Sequence, residues 1–229
     1  EAQRGRIRRG SVNTESPTRP ARAHRAIEFA ILFIAAPAGL ALVMRPGFLF
    51  PALWLLGAIC LALLWMDPQF DRNSLWRWSG VRSVFAGVAA RFAIGAAILA
   101  ILLLLMDPAR LLSLPRSRPA LWLAIMVLYP IASVFPQEVA FRAFVFHRYS
   151  GVFRGRPAMV LASALAFGYA HIILHNWWAV GLSTIGGVLF GWTYGRSRSL
   201  AAVCLEHAMY GCFLFTIGWG SYFYAGTLR

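Results

Sequence analysis

Seven apolar runs, 27–44, 47–66, 83–106, 120–136, 157–175, 178–195 and 199–219, leave this chain few folds to choose from. Each is close to the length of about 20 residues that a helix needs to cross the hydrocarbon core of a bilayer. Lipid offers no hydrogen bonds, so a spanning segment must satisfy its own backbone, and a helix does so locally. A shorter and more polar helix is expected over 138–150. The fold class is therefore all-α, a polytopic membrane bundle of seven or eight helices. Composition agrees: 59% of the 229 residues are hydrophobic, 13% are charged and the mean hydropathy is +0.63, whereas a soluble domain carries about a quarter charged residues.

The formal charge of +14 comes from 22 basic residues, every one of them Arg, against eight acids. These Arg cluster in the N-terminal stretch and between apolar runs, where anionic lipid headgroups meet them. Membrane lipids are thus the partners that the charge implies, and nucleic acid is not. Residues 1–25 hold seven Arg with Pro, Ser and Gly, and read as a disordered basic tail. Transmembrane helices follow over 26–119, a core over 120–219 and a short tail over 220–229. The basic tail, with Arg72, Arg77 and Arg82, argues for a cytoplasmic N-terminus in a cell membrane; Arg110, Arg116 and Arg118 run against that orientation. Trp76, Trp78, Trp177, Trp178, Trp219, Tyr222 and Tyr224 sit at run ends and read as interfacial anchors. Cys60, Cys204 and Cys212 lie inside apolar runs and read as small core residues. Gly187, Gly191 and Gly195, four residues apart, mark a face for close helix packing.

Ionisable side chains at membrane depth are costly and signal function. They concentrate in Gln137-Glu138-Val139-Ala140-Phe141-Arg142, in Phe167-Gly168-Tyr169-Ala170-His171 with His175-Asn176, and in Glu206-His207 with Tyr210. Glu138 and Arg142 are four apart with the acid first, the favourable order for a helical ion pair. Arg91 stands in the third run with no acid near it in sequence, as a further partner or a helix-end marker. His171 and His175 share a helical face with Phe167 and Ser163. Zinc at His171, His175 and His207 is a second reading, weakened because Ile172 stands where a metalloprotease helix carries its Glu.

In this order the three segments resemble the pattern of the CAAX protease and bacteriocin-processing membrane proteins, the superfamily of the prenyl-protein endopeptidase. Its motifs are Glu-Glu-x-x-x-Arg, Phe-x-x-x-His and His-x-x-x-Asn or Asp, and the resemblance covers roughly residues 120–215. It implies a helical bundle with an intramembrane polar cavity, metal-independent peptide hydrolysis by glutamate- and histidine-activated water, and an oxyanion held by polar donors. Arg142, His171 and His207 match by position. The family's first Glu falls on Gln137 and its final Asn or Asp on Gly211, which leaves Glu138 as the catalytic carboxylate. Tyr210 and Asn176 are the candidate oxyanion donors, with Gln137 and Phe167 in support. The substrate implied is a membrane-proximal peptide of a lipidated or exported protein. A catalytically silent member that binds a partner is the alternative.

Overall fold

The structure, a computed structural model, describes residues 19–43 and 45–223. Its helices are α1 Pro20–Val43, α2 Leu49–Met66, α3 Trp78–Met106, the short α4 Ser113–Ser117, α5 Pro119–Arg148, α6 Arg156–Leu174, α7 Trp177–Ser197 and α8 Leu200–Ile217. Six of them, with α3 reckoned back to Arg72, are long and apolar enough to cross a membrane. Their outer faces are apolar: Leu42, Leu55, Leu105 and Val127 are all exposed. A surface of that kind is stable against lipid and not against water. The chain is an integral, multi-pass, all-α membrane protein.

The basic N-terminal stretch differs from the expected tail in its last part. Residues 20–25 already belong to α1, and Arg25 donates from Nη1 to the Arg148 carbonyl at 3.1 Å; residues 1–18 lie outside the described residues. Glu28, one turn further on, takes a bidentate pair from Arg148 at 2.8 and 2.9 Å and the Tyr149 hydroxyl at 2.9 Å.

Contacts between helix ends show which termini lie together. His147 donates to Asp67 at 2.8 Å, joining the ends of α2 and α5. That bond and the Gln69 amide hold the Asp67 carboxyl below its usual range. The start of α3 abuts the end of α7, where a Cβ on Gly80 would stand 2.7 Å from the Ser197 carbonyl oxygen. At the opposite end the Leu112 amide donates to the Ile217 carbonyl, and Asn176 to the Tyr222 carbonyl.

Two helices carry the features that build the interior. α6 and α7 run antiparallel in close contact, because Gly187 lets the backbones meet: a Cβ there would lie 2.8 Å from the Ala164 Cα. Gly191 faces Val160 and Gly195 faces Arg156 on the same seam, the packing that their spacing predicts.

α5 departs from the sequence reading. The run 120–136 and the shorter helix over 138–150 are expected as two elements, yet one helix runs from Pro119 to Arg148. Two π-helical stretches, Pro130–Val134 and Val139–Phe144, absorb the prolines. Proline has no N–H, so the carbonyl four residues before it is left open. The Trp54 indole donates to the Ala132 carbonyl freed by Pro136, at 3.0 Å. The anchors also divide: Trp76, Trp78 and Trp177 are exposed at helix ends, whereas Trp219 is buried and donates to the Leu99 carbonyl. Tyr224 lies outside the described residues.

Candidate active site

Glu138 sits mid-way along α5, at the junction of a short α-helical turn and the second π-helical stretch. Such stretches rotate a few side chains against the rest of a helix, and they recur at functional sites. Glu138 and Arg142 are both fully buried, and Arg142 Nε stands 3.2 Å from Glu138 Oε2. The contact is one of charge and not of alignment: Arg142 Nε, Arg142 Nη1 and Glu138 Oε2 make no hydrogen bond. The guanidinium is held further by the Phe167 ring, 4.4 Å from its centroid, by the Phe190 ring at 5.4 Å, and by a 3.4 Å bond from Nη2 to the Gly187 carbonyl.

The other oxygen of Glu138 reaches His207 of α8. Its Oε1 accepts the Nδ1–H at 2.7 Å, and the Tyr129 hydroxyl stands 3.1 Å from Nε2 on the far side of the ring. A carboxylate can only accept, so Nδ1 carries a proton, and in the neutral imidazole Tyr129 donates into Nε2. Phe190 stacks on His207 at 4.5 Å and Phe167 meets it edge-on at 5.5 Å. Glu138, His207 and Tyr129 therefore form one hydrogen-bonded line from a buried ion pair to a hydroxyl. This is the arrangement that fixes an imidazole's tautomer and orientation.

His171 closes the last α-helical turn of α6 and donates from Nδ1 to the Phe167 carbonyl at 2.8 Å. In the neutral ring Nε2 is left as a free acceptor. The Phe167 ring separates the two imidazoles, 4.8 Å from that of His171 and 5.5 Å from that of His207. Both line a cavity of about 480 Å³ between α3, α7 and α8, together with Tyr129, Tyr210, Phe190 and Gly211. Most of the remaining wall is Ile, Leu and Phe, and no Asp or Glu side chain lines it among the described residues. The expected polar cavity is thus a largely apolar one with a few polar groups in its lining.

Other expected residues separate. Gln137 turns away from the histidines and donates to Ser133 Oγ at 2.7 Å, because successive helical residues point about 100° apart. Asn176 caps α7, accepting from the Ala179 amide and donating to the Leu174 and Tyr222 carbonyls, and supplies no donor to the cavity. The Tyr210 hydroxyl has no hydrogen-bond partner and the residue lines the cavity. His175 does not share a helical face with His171, because the chain leaves the helix there in a left-handed turn, φ 54°. Arg91 does have an acid: its Nη2 donates to Glu206 at 3.0 Å and to Thr193 at 2.8 Å. Among the described residues no three His, Cys, Asp or Glu side chains stand together as metal ligands.

Tyr129 was missed in the sequence. Its signal was Gly211, which in a regular helix costs about 1 kcal/mol against Ala unless space requires it. Here space does: a Cβ at Gly211 would lie 2.2 Å from Tyr129 Cε1 and 2.4 Å from its hydroxyl oxygen. Gly211→Ala should therefore push Tyr129 off His207 and cost about 1–3 kcal/mol by overpacking, despite the better helix former. Thermal unfolding of Gly211→Ala, Tyr129→Ala and the double variant tests this. The double variant should be more stable than the two losses sum to, and additivity would mean that the residues do not compete for one space.

Residues 119–213 match the family described as Type II CAAX prenyl endopeptidase Rce1-like. No curated protein and no solved structure matches the chain.

Proposed function

We propose that the chain hydrolyses a peptide bond of a membrane-proximal peptide held in the cavity between α3, α7 and α8, because residues 119–213 match the type II CAAX prenyl endopeptidase Rce1-like family, a family of proteases. The observation that carries this reading is the Glu138–His207–Tyr129 line ending at the cavity that His171 also lines. His171 Nε2 accepts a proton from water as the water oxygen attacks the scissile carbonyl carbon. Tyr210, whose hydroxyl has no other partner, is the donor free for the developing oxyanion, and the proton on His171 passes to the leaving amine. Glu138 acts from behind, holding His207 and through it Tyr129. General-base transfer and a preorganised donor are each worth about two or more orders of magnitude in rate. The reaction needs no metal. The apolar wall suits a peptide with a lipid or an apolar flank.

A cytoplasmic N-terminus in a cell membrane fits the charge distribution. Arg22, Arg25, Arg72, Arg77, Arg154 and Arg198 lie at one end of the bundle, and Arg45, Arg110, Arg116 and Arg118 at the other.

One observation favours a second reading, a silent member that binds such a peptide without cutting it. Gln137 stands at the acid position and is tied to Ser133, and the cavity wall carries no carboxylate among the described residues. Purified protein in lipid with a membrane-anchored peptide separates the two. Hydrolysis is expected as a discrete product by mass spectrometry, unchanged in chelator. Loss of turnover in chelator with recovery on added zinc would overturn the metal-free reaction. Saturable peptide binding with no product would support the silent reading.

A further inference from the structure

A second recess opens between α3 and α7, about 310 Å³ in volume and lined by Ser83, Gly87, Arg91, Trp192, Thr193 and Arg196 with Val84. We propose that it binds a phosphate-bearing anion with the chemistry of a phospholipid headgroup. Its wall contrasts with that of the main cavity, since two guanidiniums and two hydroxyl side chains border it and Arg91 alone lines both. Arg91 spends one nitrogen on Glu206 and Thr193, while its Nε is buried without a hydrogen-bond partner. Gly87 leaves the space over Nη1 open, where a Cβ would stand at 3.4 Å. Glu206 neutralises Arg91, but Arg196 has no ion-pair partner among the described residues, so the recess carries about one net positive charge.

Position supports the same ligand. Arg196 is the penultimate residue of α7, at the end of the bundle where α3 begins and where most of the Arg collect. That is headgroup depth, and Trp192, one turn inward and partly exposed, is of the residue type that sits there. Basic pockets between membrane helices at this level bind lipid phosphates through charge-assisted hydrogen bonds from Arg. The competing occupant is bulk water, with Arg196 serving only the helix C-terminus.

The test titrates the delipidated, intact protein in a neutral detergent with phosphatidylglycerol, phosphatidylcholine or inorganic phosphate, read by native mass spectrometry and thermal unfolding. Phosphatidylglycerol should bind saturably and more tightly than phosphatidylcholine, and phosphate should compete with it. Arg196→Gln should weaken phosphatidylglycerol about five- to tenfold. Arg82→Gln, an exposed charge outside the recess, should change it little. Phosphate binding that depends on Arg196 without phosphatidylglycerol binding would keep the anion site and make its ligand a soluble one. Equal effects of Arg82→Gln and Arg196→Gln, or no saturable binding of either anion, would overturn the proposal.

Discussion

Arg142→Met should destabilise the protein by about 3–5 kcal/mol, the loss that follows when one partner of a buried ion pair is removed. The reason lies in what remains. Glu138 would keep one hydrogen bond, from His207, with its second oxygen facing an apolar side chain at full burial. Ala at 142 would add a cavity against Phe167 and Phe190, so Met, which fills most of the volume, isolates the charge effect. The check is thermal unfolding of the purified protein in a fixed detergent or nanodisc. Glu138→Gln in the Arg142→Met background should recover part of the loss, since an amide needs no counter-charge. Equal stability of Arg142→Met and wild type would remove the ion pair from the account of this site.

On activity the largest loss is expected from His171→Ala, which should lower turnover by about two to four orders of magnitude while the protein stays folded. His171 bonds only its own helix backbone, through Nδ1, and it borders the cavity, so little packing depends on it. Glu138→Gln should also lower turnover, for a different reason, by rearranging the hydrogen-bonded line beside the cavity. The amide can present N–H to His207 Nδ1, invert the tautomer and turn Tyr129 from donor to acceptor. Gln137→Ala should cost far less, because its amide bonds Ser133 and no imidazole. Wild type, these three variants and Gln137→Glu are compared on one anchored peptide by initial rates at saturating substrate. If wild type is inert and Gln137→Glu gains turnover, the silent reading stands and His171 is not a base.

Much of the site was legible as a set of residues, because a charge in a membrane helix announces itself against its apolar neighbours. Glu138 with Arg142 could even be paired from the spacing, since four residues return to one helical face. Arg91 could not. Its acid, Glu206, lies 115 residues away on α8, and adjacent Glu206 and His207 diverge, one toward α3 and the other toward α5. Asn176 was read as a donor and is a helix cap, a role set by the single turn between α6 and α7. Tyr129 carries no charge and stands in an apolar run, so only its contacts with Gly211 and His207 mark it.

The sequence by itself determined that the chain spans a membrane several times as helices and which polar side chains travel into that membrane. Both follow from local quantities: the length of an apolar run, and the cost of a charge in hydrocarbon, which depends on one residue and its neighbours in the chain. Only the tertiary structure decided which groups meet. The π-helical stretches of α5 set the rotation of Glu138, the glycine seam of α7 brings its backbone against α6, and Gly211 admits Tyr129 to His207. Those are matters of register and rotation between helices. A helix turns about 100° per residue, so one residue of slip sends a side chain to a different neighbour while leaving the hydropathy of every run unchanged.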